Sequence, residues 1–257
     1  MLTGLAAADP YLQKMELLFA REGLPKELTR IPLVESSFNN NAVSRVGAVG
    51  VWQFMGDSAR EYLTVNNKLG IDERLSPFKS ALAAAKMLKR HQRVLGSWAA
   101  TVTSYNHGIR TFLKVAPELK KRNLTAVALL APCVKKSKKG RALPSLGWAS
   151  RNYYPEFLAL VHAEAYRDRF YGNRQGQVVD LKPIVFDRLK TPESARALCA
   201  RRGVLVEEFR ILNPDVTLLD QRLPSGFWVA LPGEQDDFGG LSTLTDQNAT
   251  AFLKRPG

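Results

Sequence analysis

Cysteine and histidine are scarce in this chain. Its 257 residues hold two cysteines, Cys133 and Cys199, and three histidines, His91, His107 and His162. Nothing in the sequence brings the cysteines together, so a disulfide and two buried free thiols both stay open. The histidines show no metal-ligand spacing with one another or with the cysteines, and no structural metal is expected. No run of about 18 or more apolar residues occurs, which excludes a recognisable transmembrane helix. The N-terminus MLTGLAAADP has no charged stretch leading into a long apolar core, and no lipid-attachment cysteine. Acidic residues are outnumbered, with 24 Asp and Glu against 37 Lys and Arg, a net charge of +13. That excess attracts an anionic partner without naming it: nucleic acid, a membrane surface and an acidic cell wall are all admissible. The basic run Lys135 to Arg141 contains no aromatic residue, which argues against a stacking platform for single-stranded nucleic acid. By default it is a solvated loop.

What is present is an ordinary globular composition, 45% hydrophobic, in a length suited to one large domain or one domain plus a small module. The most informative stretch is Leu24 to Met55, LPKELTRIPLVESSFNNNAVSRVGAVGVWQFM. On a helix of 3.6 residues per turn, Leu24, Leu28, Ile31, Val34 and Phe38 share a stripe, while Lys26, Thr29, Arg30, Ser36 and Ser37 fall away from it. Pro25 suits the first helical turn, and Pro32 predicts a kink or a short helix. Glu35 falls on the apolar stripe near the helix end. Desolvation and the helix dipole both disfavour its charged form there, which suits a proton-donating acid. The alternative is a buried ion pair with an Arg or Lys. After Asn39 to Asn41, the run Gly47-Ala48-Val49-Gly50 leads into Val51-Trp52-Gln53-Phe54-Met55. A small-residue loop feeding an aromatic, an amide and a thioether reads as one wall of a sugar-binding groove.

This stretch resembles the catalytic core of the lytic transglycosylases of glycoside hydrolase family twenty-three, in particular the membrane-bound lytic murein transglycosylase D type. The family pattern runs roughly E-S-x-F-[ND]-P-x-A-x-S-x-x-G-A-x-G-L-W-Q-F-M-P. Glu35, Ser36, Phe38, Asn39, Ala42, Ser44, Gly47, Ala48, Gly50, Trp52, Gln53, Phe54 and Met55 match it in register. Asn40 and Gly56 stand where Pro is usual, and Val51 stands for Leu. Asp72-Glu73-Arg74 resembles the family's D-E-R segment, read here as a surface ion-pair cluster that orders its loop. Tyr105-Asn106-His107-Gly108 resembles A-Y-N-A-G, with His107 replacing Ala and read as facing solvent. Ser150 to Pro155 resembles E-T-R-x-Y-[VY]-P, with Ala149-Ser150 for Glu-Thr and Tyr153 at the position of the family's active-site Tyr.

Taken in order, the chain predicts a leading helix from Asp9-Pro10, with Leu12, Met15 and Phe19 inward and Gly23 as its stop. A short helix is expected at Ser58 to Tyr62. A longer one, capped by Ser80, runs to about Leu95 with Ala81, Ala84, Ala85 and Leu88 on one face. Another helix closes at Gly108, and one after Pro155 carries Phe157, Leu160 and Val161. Beyond about residue 172 the style changes. A β-prone stretch ends at Phe186, a helix starts at Thr191-Pro192 and stops at Gly203, and a second spans Val206 to Leu212. A strand follows at Phe227 to Pro232. This strand-helix-helix-strand order resembles a LysM-type module, with the usual G-D-T-L start missing.

The expected fold class is mainly α: a lysozyme-like (goose-type, SLT) helical catalytic domain over 1–175, a small α+β LysM-like module over 176–235 and a tail over 236–257. The resemblance implies a peptidoglycan lytic transglycosylase with Glu35 as general acid and then base. Ser44, Gln53, Met55, Tyr105, Asn106 and Tyr153 are the implied substrate-binding residues. No cofactor and no metal are implied. The implied partner is the peptidoglycan glycan strand, with no nucleic acid, and the chain is expected to act as a monomer. A periplasmic or envelope location implies an export signal, which the given chain lacks, and attachment to the outer membrane would use a segment not in it. A hydrolytic lysozyme with a second carboxylate (Asp57, Glu61, Asp72 or Glu73) and a non-catalytic wall-binding protein are the rival readings.

Overall fold

The computed structural model describes residues 2–113, 146–171, 181–238 and 241. Cys133 and the basic run Lys135 to Arg141 lie outside the described residues. The chain divides into two compact units, one of residues 1–84 with 173–257 and the other of residues 85–172.

The first unit opens with α1, Leu2–Arg21. It starts well before the expected Asp9-Pro10 cap and carries Pro10 inside it. The reason is burial. Leu5, Ala8, Leu12, Met15 and Phe19 extend one helical stripe across the proline, and all are in the core. Gly23 ends the helix at φ 71°. Its N–H donates to Ala20 O (2.9 Å) and that of Leu24 to Phe19 O (2.9 Å), the paired bonds of a glycine-capped C-terminus.

The stripe read through Leu24 to Phe38 does not form one helix. A 3-10 turn, Lys26–Arg30, is followed by the five-residue α2, Ile31–Glu35, with Pro32 in its first turn. The tighter 3-10 winding turns Thr29 and Arg30 inward instead of leaving them on the polar face, and both are buried. The Arg30 guanidinium is paired with Glu16 and donates to Thr29 Oγ1 at 2.8 Å. Next come α3, Gly56–Ala59, and a two-stranded hairpin of β1, Val65–Asn66, and β2, Ile71–Asp72. Then α4 runs over Pro77–Leu95, beginning three residues before the expected Ser80. The boundary between the units falls inside α4.

The C-terminal part of the first unit holds the expected outer strands and two helices, with two further short strands that the sequence did not suggest. Strand β3, Ile184–Arg188, pairs antiparallel with β6, Trp228–Pro232. Between them lie β4, Glu193–Ser194, α8, Ala195–Arg202, α9, Val206–Leu212, and β5, Arg222–Leu223. Helix α8 starts later than Thr191-Pro192, because β4 pairs with β5 and Ser194 supplies the cap. Asn213 follows α9 and is fully used: its amide exchanges two 2.7 Å bonds with the Ala230 backbone, which pins β6 to the helix end. Cys199 is a buried free thiol in this core.

This part is joined to the N-terminal helices by shared burial. Ile71 of the hairpin sits in one hydrophobic cluster with Leu198, Phe209, Val216 and Leu231. Gly70 can only be glycine, since a Cβ there would lie 2.5 Å from Leu218. Asp236 pairs with Lys14 at 2.8 Å, and Phe238 is 1% exposed beside Phe78 and Phe186. The first residues of the expected tail are therefore an anchored strap.

The second unit contains α5, Trp98–His107, α6, Trp148–Ala165, and the short α7, Arg167–Tyr171. Helices α5 and α6 pack together. Helix α6 starts before Pro155, which sits within it on the exposed side, while Tyr153 and Phe157 are buried.

Candidate active site

In the first unit the site is built on an abrupt helix end. Glu35 is the last residue of α2 and is half-buried. The next residues cannot continue the helix: Ser37 and Phe38 both adopt positive φ, 52° and 59°. Two consecutive non-glycine residues in the left-handed region cost roughly 1 kcal/mol or more each, so the surroundings must hold them. They do. The N–H groups of Ser36 and Phe38 both donate to Pro32 O, at 3.0 and 3.3 Å. The reversal drives Phe38 into the core, where it stacks on Tyr11 with centroids 6.5 Å apart. Asn40 Nδ2 donates to the Tyr11 hydroxyl at 3.0 Å.

The hydroxyl of Ser36 then ties this helix end to the glycine loop, donating to Val51 O at 2.9 Å. The loop is a series of tight turns. Ser44 N–H donates to Ala48 O and Gly50 N–H to Ala42 O, both at 2.9 Å. Gly47, Gly50 and Gln53 take φ of 85°, 78° and 49°. Ser44 and Gln53, expected to position sugar, also build the loop. Ser44 Oγ accepts from Ala48 N–H at 2.9 Å, and Gln53 Nε2 donates to Gly50 O at 2.7 Å and Ala42 O at 3.2 Å. The Ser44 hydroxyl proton and the Gln53 amide oxygen are not used in those bonds. Met55 is 41% exposed and available as an apolar contact.

The aromatic wall read from the sequence is not there. Trp52 is fully buried and stacks on Phe19 at 5.6 Å, and Phe54 is 2% exposed. The loop folds back on itself through the Val49–Phe54 bridge, which points both rings into the core. Their job is to anchor the loop.

Behind the loop stands the 72–75 segment. A Cβ at Gly50 would meet Arg74 O at 2.0 Å, so the two backbones are in direct contact. Asp72 forks Arg74 with bonds of 2.9 and 2.7 Å. Glu73 does not belong to a surface cluster, because it is 6% exposed and faces Lys79. Lys79 Nζ reaches Glu73 Oε1 at 3.2 Å, Asp215 Oδ2 at 2.6 Å and the Phe227 ring at 3.9 Å. Burial would lower the lysine's pKa, but the two carboxylates overcome it and raise it. Burial pushes Asp215 up against the pull of Lys79. The same Asp215 accepts Asp72 N–H on its backbone oxygen at 2.9 Å, and Thr217 N–H donates to Gly70 O at 2.8 Å. A continuous set of contacts thus leads from residues 215–217 through the hairpin and Gly50 to the loop clamped on α2.

The second unit carries Tyr105, Asn106 and Tyr153. Tyr105 is half-buried and Asn106 exposed at the end of α5, where Gly108 turns the chain with φ 87°. Tyr153 is 3% exposed on α6. His107 does not face solvent. It is half-buried, meets the Phe112 ring edge-on, and its Nδ1 lies 2.9 Å from Ser150 Oγ. Ser150 Oγ in turn donates to Asn106 Oδ1 at 3.1 Å. Sequence reasoning missed Ser150 and the role of His107. The signal was available in the two departures from the motif, His107 and Ala149-Ser150, which meet in space.

Residues 17–125 match the family model described as "Transglycosylase SLT domain". This stretch of the chain is similar to an SLT domain. Over 210 residues it is 27% identical to "Membrane-bound lytic murein transglycosylase D" of Escherichia coli (strain K12), covering 81% of this chain and 43% of that protein. The protein of the same name from Escherichia coli O6:H1 matches to the same extent. The chain therefore spans less than half the length of these relatives. The SLT span takes in Glu35, Ser44, Gln53, Met55, Tyr105 and Asn106, while Ser150 and Tyr153 lie C-terminal to it. The mainly helical architecture agrees with an SLT domain. Among the described residues, no three His, Cys, Asp or Glu side chains gather as metal ligands, and no helix is long and apolar enough to cross a membrane.

Proposed function

We propose that this protein is a peptidoglycan lytic transglycosylase that cleaves the β-1,4 bond between N-acetylmuramic acid and N-acetylglucosamine. The observation that carries the reading is Glu35: a half-buried carboxyl ending α2, fixed by strained backbone and by Ser36 to the glycine loop, inside the SLT span. Glu35 protonates the glycosidic oxygen as the C1–O bond breaks. The muramyl acetamido oxygen closes on C1 in place of a protein nucleophile, the substrate-assisted exception to the two-carboxylate rule. The Glu35 carboxylate then takes the proton from the C6 hydroxyl. O6 attacks C1, the acetamido group is released, and a 1,6-anhydromuramyl end results. Ser44, Gln53, Tyr105, Asn106 and Tyr153 position the sugar and acetamido groups, and Met55 gives an apolar contact. The 176–235 segment is a LysM-like module, and the enzyme works in the periplasm or cell envelope on glycan strands.

The surroundings of three of the four rival carboxylates favour a single-acid mechanism over hydrolysis with a second carboxylate. Asp72 is forked by Arg74, Glu73 is buried against Lys79, and Asp57 lies open to solvent beside Arg60. Mass spectrometry of products from purified peptidoglycan tests the reading. Anhydromuramyl ends are expected from the native chain and none from Glu35→Gln. Reducing ends would replace the mechanism with hydrolysis, and products undiminished in the mutant would sink the assignment of Glu35.

A further inference from the structure

We propose that His107 and Ser150 are positioning residues that set the polarity of the Asn106 amide, so that Asn106 meets its ligand as a hydrogen-bond donor. The inference rests on the lytic reading of the site for the identity of that ligand, the acceptor oxygens of a glycan strand.

A serine hydroxyl has one proton to donate. Ser150 Oγ donates it to Asn106 Oδ1 at 3.1 Å. The contact with His107 Nδ1 at 2.9 Å must then run the other way, with Nδ1–H donating to Ser150 Oγ. His107 is thereby assigned the Nδ1–H tautomer. With Oδ1 engaged by Ser150, the exposed Asn106 side chain has its NH2 group left to offer. Gaining a proton at Nε2 leaves Nδ1–H in place, so the chain keeps its direction in both charge states of His107.

The second unit holds an internal comparison. His91 Nδ1 lies 2.8 Å from Ser104 Oγ, and Ser104 donates to Thr101 O at 2.7 Å. The same proton count applies, but this chain ends on a backbone carbonyl and its His and Ser are both buried. It is structural. The His107 chain ends on an exposed amide at the end of α5, inside the motif that resembles A-Y-N-A-G. His107 departs from the family pattern, standing for Ala, while Ser150 keeps the hydroxyl of the family's Thr. The histidine thereby extends the hydroxyl–Asn106 contact into a hydrogen-bonded chain.

Two measurements on the full chain test this. The first is binding of soluble, peptide-free glycan strands to the Glu35→Gln background, together with turnover in the active chain. Ser150→Ala and His107→Ala are expected to weaken binding and raise KM roughly three- to ten-fold, the worth of one neutral hydrogen bond. The melting temperature and kcat should stay near those of the parent. Ser150→Thr keeps the hydroxyl and His107→Asn keeps a donor near the Nδ1 position, so both should restore KM. Unchanged binding in both alanine variants, or loss that the conservative variants fail to restore, would overturn the proposal. The second is ring-nitrogen NMR of His107, which needs no activity. A protonated Nδ1 at neutral pH is expected, and a bare Nδ1 with protonated Nε2 would overturn the assigned direction. A parent chain that releases no anhydro product would remove the lytic reading, and the tautomer measurement would still decide the hydrogen-bond chain.

Discussion

Each of the two units positions its own candidate residues by different means. In the first, Glu35 and the glycine loop are set by backbone: positive φ angles, tight turns and a contact at Gly50 that leaves no space for a side chain. In the second, Asn106 sits on an ordinary helix and is aimed by side chains, through Ser150 and His107. A backbone-built site fails as a whole when its support moves, because its turns are mutually dependent. A side-chain-built site fails by degrees, one hydrogen bond at a time. The first unit accordingly carries heavy backing: the Lys79 ion cluster and the docked C-terminal strands stand behind the loop.

The largest effect is expected from removing that backing. Lys79→Met leaves Glu73 and Asp215 buried without their cation, a loss on the order of 3–5 kcal/mol. Urea denaturation should show it, and the remaining folded protein should lose activity although Lys79 is distant in sequence from Glu35. Substitutions at two glycines of similar φ separate conformation from contact. Gly50→Ala adds a Cβ 2.0 Å from Arg74 O, whereas Gly47→Ala meets nothing within 4 Å. About 3–4 kcal/mol is expected for the first and about 1 kcal/mol for the second. Equal losses would mean that the backbone contact at Gly50 is unimportant.

In the second unit the sharpest test is pH. Burial, reinforced by Arg90, lowers His91 to about 4. The unfolded chain takes up this proton near pH 6.5, the folded one only near 4. The stability contributed is therefore full above pH 6.5 and drains as pH falls toward 4, by roughly 3 kcal/mol. Melting temperature measured across that interval should slope downward with acid, and His91→Gln should remove the slope. The smallest effect is expected at the joint between helix end and loop. Ser36→Ala removes one bond to Val51 O, worth about 1 kcal/mol, and its cost should appear more in product formation than in the denaturation midpoint.

Much of the fold was legible because local chemistry and tertiary demand agree. Gly23, Gly96 and Gly203 end helices where the sequence put stops, and α9 fills Val206 to Leu212 before Asn213-Pro214. Helix starts were read less well. Pro10 and Pro155 look like first-turn residues, yet both lie inside helices because the apolar stripe continues on either side. Trp52 and Phe54 looked like a sugar-facing wall and are core anchors. Spacing in a loop carries no period from which to tell inside from outside.

The sequence by itself determined the chemistry on offer: one carboxyl at a helix end, a glycine loop in fixed register with it, and the Tyr105-Asn106 and Tyr153 segments. It did so because these are short-range patterns, in which residue identity and spacing carry the information. Only the tertiary structure decided the partners. Glu73 and Asp215 share Lys79 across more than a hundred residues of chain, Gly50 abuts Arg74, and Ser150 links His107 to Asn106. Each of these depends on long-range packing that brings distant segments within a few ångströms, and no local pattern encodes which side chain will be waiting there.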